Sequence, residues 1–188
     1  MPIVLASASP RRQELLKNAG IELVVKPANI TEVRQQNEAP RAFAERMARE
    51  KARAVGAEMS DEYVLGADTI VVVDDLVLGK PEDKQDAARM LRLLLGRKHQ
   101  VITGVCLKGS HFEDVRSETT TVHFSVLSDH DIRDYIATGE PMDKAGAYAI
   151  QGMASPWISK IEGDYSNVVG LPVALVLQML REHRVIGN

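Results

Sequence analysis

Apolar and polar residues follow two periods along the chain, one typical of strands and the other typical of helices. Continuous apolar runs predict a short buried strand at Ile3 to Leu5 and a longer β-rich segment at Tyr63 to Val73. Further strands are predicted at His99 to Leu107, at Thr119 to Val126 and at Ser155 to Ile161. Helix-like segments alternate with them, with no internal repeat and no low-complexity tract. This alternation predicts the α/β fold class.

The helical segments are bounded by start and stop signals. The first is predicted to begin at Pro10, with Ser9 as its N-cap, and to stop at Gly20. A second helix is predicted to begin after the cap Asp83 and to end at Gly96, and a third to begin at the capping box Ser128-Asp129-His130-Asp131 and to end at Gly139. The final helix is predicted to begin around Leu171-Pro172.

One more helix is predicted from near Pro40 to about Ala57. Phe43, Met47 and Val55 form its apolar stripe, with Lys51 among its charged positions.

The turn Asp74-Asp75 predicts a hairpin that returns through Leu76 to Leu78. No linker divides the chain, so residues 1–188 are expected to form a single domain. If that domain has two lobes, the chain crosses between them more than once. A small-molecule site would then be expected in the cleft.

Composition narrows the class of protein. Hydrophobic residues make up 45% of the 188 residues, which predicts a folded globular protein. The formal net charge of -3 disfavours nucleic-acid binding through a broad basic surface, although a local basic cleft stays open. Cys106 is the only cysteine, which excludes an intrachain disulfide and a multi-cysteine metal site. A reducing, intracellular setting fits best.

The N-terminal segment lacks the charged region and the long apolar run of a signal peptide. No apolar stretch approaches the ~20 residues that span a bilayer. We therefore expect a cytoplasmic protein without a membrane partner.

The first candidate chemistry lies in the segment Leu5 to Leu16, where a strand meets a helix through two hydroxyls, a proline and two arginines. Unpaired backbone N–H groups and the positive end of the helix dipole favour a phosphate there. Arg11 and Arg12 add planar, charged groups suited to phosphate oxygens. A plainly capped helix with two solvated arginines would have the same spacing, so both interpretations stay open.

A carboxylate interrupts the apolar run at Asp68, within Gly66-Ala67-Asp68-Thr69. Because burying an unpaired carboxylate costs several kcal/mol, we expect a metal, a cation or several donors beside it. The small Gly66 and Ala67 would let a ligand approach the backbone. The alternative is a strand-end aspartate that caps a turn. A functional role is favoured because the apolar strand continues beyond it.

Two later segments carry weaker signals. Lys80 follows the hairpin in a Gly-Lys-Pro turn, which could bring it to the same end of the sheet as Asp68. The segment Asp143 to Gly152 lacks regular periodicity, and Gln151 within it could read a base edge through its amide. A solvated lysine and an ordinary surface loop are the alternatives. Neither a Walker loop nor a G-x-G-x-x-G fingerprint occurs.

Short segments spread over nearly the whole chain resemble the Maf family of nucleoside triphosphate pyrophosphatases. They are Ser7-Ala8-Ser9-Pro10-Arg11-Arg12, Glu32, Arg49-Glu50-Lys51-Ala52, Gly66-Ala67-Asp68-Thr69, Gly79-Lys80-Pro81, Asp143-Lys144-Ala145-Gly146 with Gln151-Gly152, and Val169-Gly170-Leu171-Pro172. None of these positions departs from the family pattern.

The resemblance implies a two-lobed mixed sheet flanked by helices with a central cleft, similar to the inosine triphosphate pyrophosphatase fold. It also implies hydrolysis of the bond between the α- and β-phosphates of a nucleoside triphosphate. The products are a nucleoside monophosphate and pyrophosphate, and the expected cofactor is a divalent metal cation, Mg or Mn.

Within the family, the residues matching Arg12, Thr69 and Gln151 sort substrates. This combination resembles the branch that acts on dTTP and UTP, with modified pyrimidine nucleotides as further candidates. The branch that acts on 7-methyl-GTP carries different residues at the positions of Thr69 and Gln151.

The expected roles combine this resemblance with residue chemistry. Asp68 is expected to be the proton acceptor for the attacking water, a metal ligand, or both. Glu32 is expected to help hold the metal, and Lys51 and Lys80 complete the catalytic set. The phosphate-binding residues are expected to be Ser7, Ser9, Arg11 and Lys144.

Two other classes of function stay open. A nucleotide-binding regulator or sensor, for example of cell division, would use the same cleft with catalysis secondary. A single-stranded nucleic-acid binder would use the same cations, but the few aromatic residues disfavour a stacking platform. The oligomeric state is also left open, with a homodimer as one candidate.

Overall fold

The computed structural model describes residues 2–187, in which a mixed sheet of seven strands is flanked by helices. The strands are β1 (Ile3–Leu5), β2 (Leu23–Val25), β3 (Val64–Val73), β4 (Leu76–Leu78), β5 (Lys98–Lys108), β6 (Glu113–Phe124) and β7 (Ile158–Glu162). The helices are α1 (Pro10–Asn18), α2 (Pro40–Gly56), α3 (Lys84–Leu94), α4 (Asp129–Ala137), α5 (Tyr165–Val169) and α6 (Val173–Glu182). The predicted α/β class is confirmed.

The sheet is mixed because its neighbouring strands pair in both directions. The strand order is β2-β1-β3-β5-β6-β7, and β4 pairs with β3 outside this path. β1 lies parallel to both β2 and β3, whereas the β3–β4 and β6–β7 pairs are antiparallel. Asp74 and Asp75 have φ values of 49° and 63°, which confirms the predicted tight turn between β3 and β4.

The chain divides into two compact units. Unit 1 comprises the chain up to Thr69, the segment Thr103–Glu118 and the chain from Gly170 onward; unit 2 comprises Ile70–Ile102 and Thr119–Val169. Each unit has its own hydrophobic core. Buried members of the core in unit 1 include Leu5, Leu16, Leu65, Leu107 and Met179, and those in unit 2 include Leu91, Leu94, Phe124, Ile132 and Tyr135.

Helix α2 packs with its backbone directly against two strands of unit 1. A Cβ atom on Gly66 of β3 would lie 2.2 Å from the carbonyl oxygen of Ala48, and one on Gly104 of β5 would lie 2.3 Å from that of Ala44. Only glycine permits this approach. The expectation that Gly66 leaves room for a ligand is therefore wrong, because the helix occupies that space.

Most predicted boundaries are confirmed within one or two residues. Ser9 accepts a hydrogen bond from the backbone N–H of Arg12, and the capping box at Ser128 is complete. Gly20, Gly96 and Gly139 all have positive φ just beyond a helix end.

Three segments differ from prediction. Strand β6 begins at Glu113 rather than Thr119, because its first half is polar and lacks an apolar run. Ser155–Trp157 forms a 3-10 turn, so β7 begins at Ile158. The edge strand β2 and the five-residue helix α5 were not predicted, since each is too short to show a period.

Cys106 is buried, and this burial raises the pKa of its thiol to about 12, so the reactive thiolate form is disfavoured. Among residues 2–187, no helix is long and apolar enough to cross a membrane.

Candidate functional site

The carboxylate of Asp68 lies beside a buried lysine. The Nζ atom of Lys51 donates to Oδ1 of Asp68 at 2.6 Å and lies 2.7 Å from Oε1 of Glu32. The side chains of Lys51 and Asp68 are only 11% and 10% exposed, whereas that of Glu32 is 53% exposed. The expectation of a cation beside Asp68 is confirmed, and the cation is Lys51.

Helix α2 positions this lysine. The predicted stripe of Phe43, Met47 and Val55 is buried, and Lys51 follows Met47 by four residues, which places it on the same helix face. A lysine within an apolar stripe must find a partner when that face packs on a sheet. This spacing was a signal that Lys51 is a buried cation rather than one of the helix's solvated charges.

The pair Glu32 and Asp68 fits a divalent metal by donor chemistry. Their carboxylates converge on one ammonium group, so a single cation can contact both. Within the described part of the chain, no group of three or more His, Cys, Asp or Glu residues could hold a metal. Mg²⁺ commonly takes one or two carboxylates and completes its shell with water and substrate phosphates. A metal here would compete with Lys51 for the carboxylate oxygens.

Arg12 is the centre of a second buried network. Its Nε donates to the carbonyl of Gly170 at 2.8 Å, and its Nη1 donates to Ser7 Oγ and to the carbonyl of Ala67, each at 3.0 Å. Its Nη2 donates to Thr69 Oγ1 at 3.0 Å. Burial lowers the pKa of Arg12, while the charge of Asp68 opposes this effect. The interpretation of two solvated arginines therefore fails for Arg12.

Arg11 has a different environment from its neighbour. It is half-exposed, and no residue in the range 2–187 forms a hydrogen bond or ion pair with its side chain. Ser9 caps helix α1, and its own N–H donates to Ser7 Oγ at 3.3 Å. The start of α1 thus combines a rigid Arg12 with an Arg11 available to bind an anion.

Unit 2 brings together the segments that carry two candidate lysines. The N–H of Gly146 donates to the carbonyl of Gly79 at 3.0 Å, which joins the turn of Lys80 to the segment of Lys144. Lys80 is exposed, whereas Lys144 is largely covered and pairs with Asp143. Gly146 has a φ of +70°, and a Cβ there would lie 2.8 Å from Val71. This segment therefore requires glycine.

Gln151 lies exposed in a loop that a carboxylate stabilises. Oε2 of Glu140 accepts a hydrogen bond from the N–H of Met153 at 3.1 Å. A Cβ on Gly152 would lie 1.8 Å from Oε1 of Glu140, so the carboxylate occupies the side-chain space of the loop. Sequence reasoning missed Glu140, because no local pattern links it to Met153, which lies 13 residues further along the chain.

The candidate residues divide between the two units. Unit 1 contains Ser7, Ser9, Arg11, Arg12, Glu32, Lys51, Asp68 and Thr69, and unit 2 contains Lys80, Lys144 and Gln151. The structure brings Asp68, Lys51 and Glu32 into one cluster. It brings Arg12, Ser7 and Thr69 into another. The expectation that Lys80 shares one end of the sheet with Asp68 stays a prediction.

Unit 2 also contains a cavity of about 500 Å³ that none of these residues lines. Its lining consists of residues from α3 and α4: Lys84, Gln85, Ala88, Arg92, Arg133, Ile136 and Ala137. The candidate site residues are therefore separate from this cavity.

A buried lysine that joins two carboxylates, with a buried arginine bound to the next residue of the same strand, suits a protein that holds an anionic, metal-coordinating ligand. The family model described as Maf-like protein matches residues 2–183. The chain belongs to this Maf family.

Curated relatives match nearly the whole chain. A dTTP/UTP pyrophosphatase of Koribacter versatilis (strain Ellin345) is 56% identical over 186 residues, which cover 99% of this chain and 96% of that protein. A dTTP/UTP pyrophosphatase of Symbiobacterium thermophilum is 52% identical, over 96% of this chain and 93% of its own length. A dTTP/UTP pyrophosphatase of Geobacter sp. (strain M21) is 51% identical, over 99% of this chain and 97% of its own length.

Proposed function

We propose that this protein is a nucleoside triphosphate pyrophosphatase that hydrolyses dTTP and UTP to the nucleoside monophosphate and pyrophosphate. The names of its relatives support this function. The structural observation that carries it is the adjacency of two networks on β3, where Asp68 binds Lys51 and Thr69 binds Arg12. Modified pyrimidine nucleotides are further candidate substrates.

In the proposed reaction, Asp68 orients a water molecule and accepts its proton. Only Oδ1 of Asp68 bonds to Lys51, and no donor among residues 2–187 contacts Oδ2. Oδ2 is therefore available to the water. The water oxygen forms a bond to one phosphorus of the α–β anhydride, and the bridging oxygen leaves with the other phosphate. Lys51 holds Asp68 in place and offsets negative charge near the substrate.

We propose that Glu32 and Asp68 also hold a divalent cation, Mg²⁺ or Mn²⁺. When bound, the cation would supply positive charge to the triphosphate oxygens. Support comes from the convergence of both carboxylates on one cationic group.

The proposed phosphate contacts come from groups with spare hydrogen-bonding capacity. Ser7 Oγ accepts from Arg12 and from the N–H of Ser9, which uses both lone pairs and leaves its proton to donate to a phosphate oxygen. Arg11, Ser9 and Lys144 are the further proposed phosphate-binding residues. Lys80 adds an exposed cation to the catalytic set. The chain is further proposed to act as a single domain.

Arg12, Thr69 and Gln151 are the proposed specificity residues. The exposed amide of Gln151 carries a donor and an acceptor side by side, which suits a base edge. A Gln151→Glu variant with an unchanged preference across nucleotides would argue against its role.

The proposed function is tested by measuring pyrophosphate release from standard and modified nucleoside triphosphates with Mg²⁺ or Mn²⁺. We expect dTTP and UTP to be the preferred substrates. Asp68→Asn keeps the size of the side chain and removes the proton acceptor, so we expect a loss of activity of about 10²-fold or more. Asp61→Asn, at an exposed position, is the matched control.

Two results would contradict this function. One is parent-rate hydrolysis by Asp68→Asn. The other is binding of one equivalent of nucleotide without turnover, which would favour the regulator. We also propose a cytoplasmic enzyme, which the single buried cysteine supports. Sedimentation tests the further proposal of a homodimer.

A further inference from the structure

The residues that precede Gln151 in its loop are anchored to the core of unit 2. The phenol oxygen of Tyr148 lies 2.7 Å from Nε2 of the buried His99. The backbone N–H of Ala149 donates to Tyr135 Oη at 3.2 Å. The chain therefore reaches Gln151 from a position that two buried aromatic side chains define.

Gln151 occupies the third position of a tight turn. The N–H of Gly152 donates to the carbonyl of Ala149 at 3.1 Å, which closes the four residues 149–152. Ile150, at the second position, is buried, whereas Gln151 is exposed. No residue in the range 2–187 forms a hydrogen bond with the amide of Gln151, so both of its polar atoms are available to a ligand. The backbone of the turn therefore sets where this amide lies.

The segment that follows Gln151 is held by the carboxylate of Glu140. Oε2 and Oε1 of Glu140 accept from the N–H of Met153 at 3.1 and 3.4 Å. In the described part of the chain, no other side chain forms a hydrogen bond with residues 152–154. Met153 is 59% exposed, so packing contributes little to its position. The contact with Glu140 therefore fixes this side of the turn.

Glu140 is itself held in place by its neighbours in the chain. It follows Gly139, which has a φ of 79° just beyond α4, and precedes the buried Pro141. Its N–H donates to Thr138 Oγ1 at 3.2 Å. Its carboxylate fills the space beside Gly152, where a Cβ would lie 1.8 Å from Oε1. Glu140 thus joins the end of α4 to the far side of the turn.

We propose that Glu140 is a positioning residue for nucleotide binding, which holds the turn of Gln151 through the N–H of Met153. This inference rests on the proposed function, in which Gln151 contacts the base. An amide recognises a base edge only when its donor and acceptor meet complementary groups at hydrogen-bonding distance. The charge-assisted bond to Met153 keeps the turn in one place, and its loss lets the turn shift. Because Glu140 acts through Gln151, nucleotide binding and base preference depend on it, whereas the hydrolytic step does not.

The test compares Glu140→Ala, which removes the acceptor, with Glu140→Gln, which keeps one acceptor oxygen. We expect Glu140→Ala to raise KM for dTTP by about five- to tenfold, as for the loss of one hydrogen bond, with kcat within about twofold of the parent. It should also lower the ratio of kcat/KM for dTTP to that for dCTP. Glu140→Gln should keep both KM and this ratio near the parent values.

These readouts separate positioning from a general structural defect. A defect in folding lowers kcat, because less of the protein is active, and leaves KM and the substrate ratio unchanged. Glu22→Ala, which removes an exposed carboxylate from unit 1, is the matched control and should leave all three quantities unchanged.

A double variant tests whether Glu140 acts through Gln151. Gln151→Ala removes the amide, so adding Glu140→Ala to it should have no further effect on KM or on the substrate ratio. An equal effect of Glu140→Ala with and without the amide would overturn the inference, because Glu140 would then act on another contact.

One readout needs no substrate. The backbone N–H of Met153 should exchange with deuterium faster in Glu140→Ala than in the parent and in Glu140→Gln, and equal rates would overturn the inference. Absence of pyrophosphate release by the parent protein would overturn the proposed function, and the inference about nucleotide binding with it. An active parent whose Glu140→Ala variant keeps KM and the substrate ratio would overturn the inference alone.

Discussion

At the scale of single residues, the sequence predicted which side chains carry charge but not how they pair. The need for a partner at Asp68 followed from the apolar residues around it, and the structure supplies Lys51. Arg12 and Arg11 could not be separated by sequence, because both follow the same helix start. Their difference arises from tertiary contacts, since Ala67, Thr69 and Gly170 reach only Arg12.

The buried pair predicts a coupling that needs no substrate. Lys51→Met removes the ammonium and leaves a buried carboxylate unpaired, so we expect the free energy of unfolding to fall by about 3 kcal/mol. Adding Asp68→Asn to Lys51→Met removes the unpaired charge and should recover part of this loss. Urea unfolding of the parent, both single variants and the double variant measures the coupling. Strictly additive effects would contradict a direct interaction between the two side chains.

At the scale of elements, the predictions succeeded where a period and a cap agree. Helix α3 has Asp83 as its cap and four buried apolar residues at helical spacing, and both features were readable. The first half of β6 was not predicted, because Arg116, Ser117 and Glu118 have no apolar period, although they belong to a strand that lies between β5 and β7 in the sheet. Pairing of this kind depends on residues distant in sequence, so local patterns do not reveal it.

The contact of α2 with the sheet predicts a large effect from one methyl group. In Gly66→Ala the new Cβ would overlap the carbonyl oxygen of Ala48, and backbone cannot move aside as a side chain can. We expect a loss of about 3 kcal/mol in the free energy of unfolding. Gly79→Ala is the matched control, because nothing lies within 4 Å of the added atom. Equal stability of the two variants in urea would show that α2 does not approach β3 this closely.

At the scale of the whole molecule, fold class and family were predictable because the motif segments run from the first strand to the last helix. The bounds of the two compact units were not predictable. Three of the four boundaries fall inside β3, β5 and β6, where neither composition nor charge changes. A strand that continues through a boundary carries no linker signal. Sequence therefore gave no basis for assigning Gln151, Lys80 and Lys144 to a different unit from Asp68.

The stability of the whole molecule should depend on pH through one buried histidine in unit 2. His99 is 2% exposed, its Nε2 lies 2.7 Å from Tyr148 Oη, and its ring meets Phe124 edge-on. Burial lowers the pKa of His99 from 6.5 to about 4, and the nearby His123 adds to this shift. The unfolded chain therefore binds a proton at His99 at a higher pH than the folded protein does.

The contribution of His99 to the free energy of unfolding is fully present above pH 6.5. It falls as the pH drops toward 4, because only the unfolded state gains the proton in that range. The expected loss is on the order of 3 kcal/mol across the window. Urea unfolding between pH 7 and pH 4 measures it, with His99→Gln as the variant that cannot titrate. The carboxylates contribute equally to the pH dependence of the parent and of His99→Gln. The difference between their two curves of unfolding free energy against pH therefore isolates the contribution of His99. Parallel curves would mean that His99 takes up its proton equally readily in the folded and unfolded states.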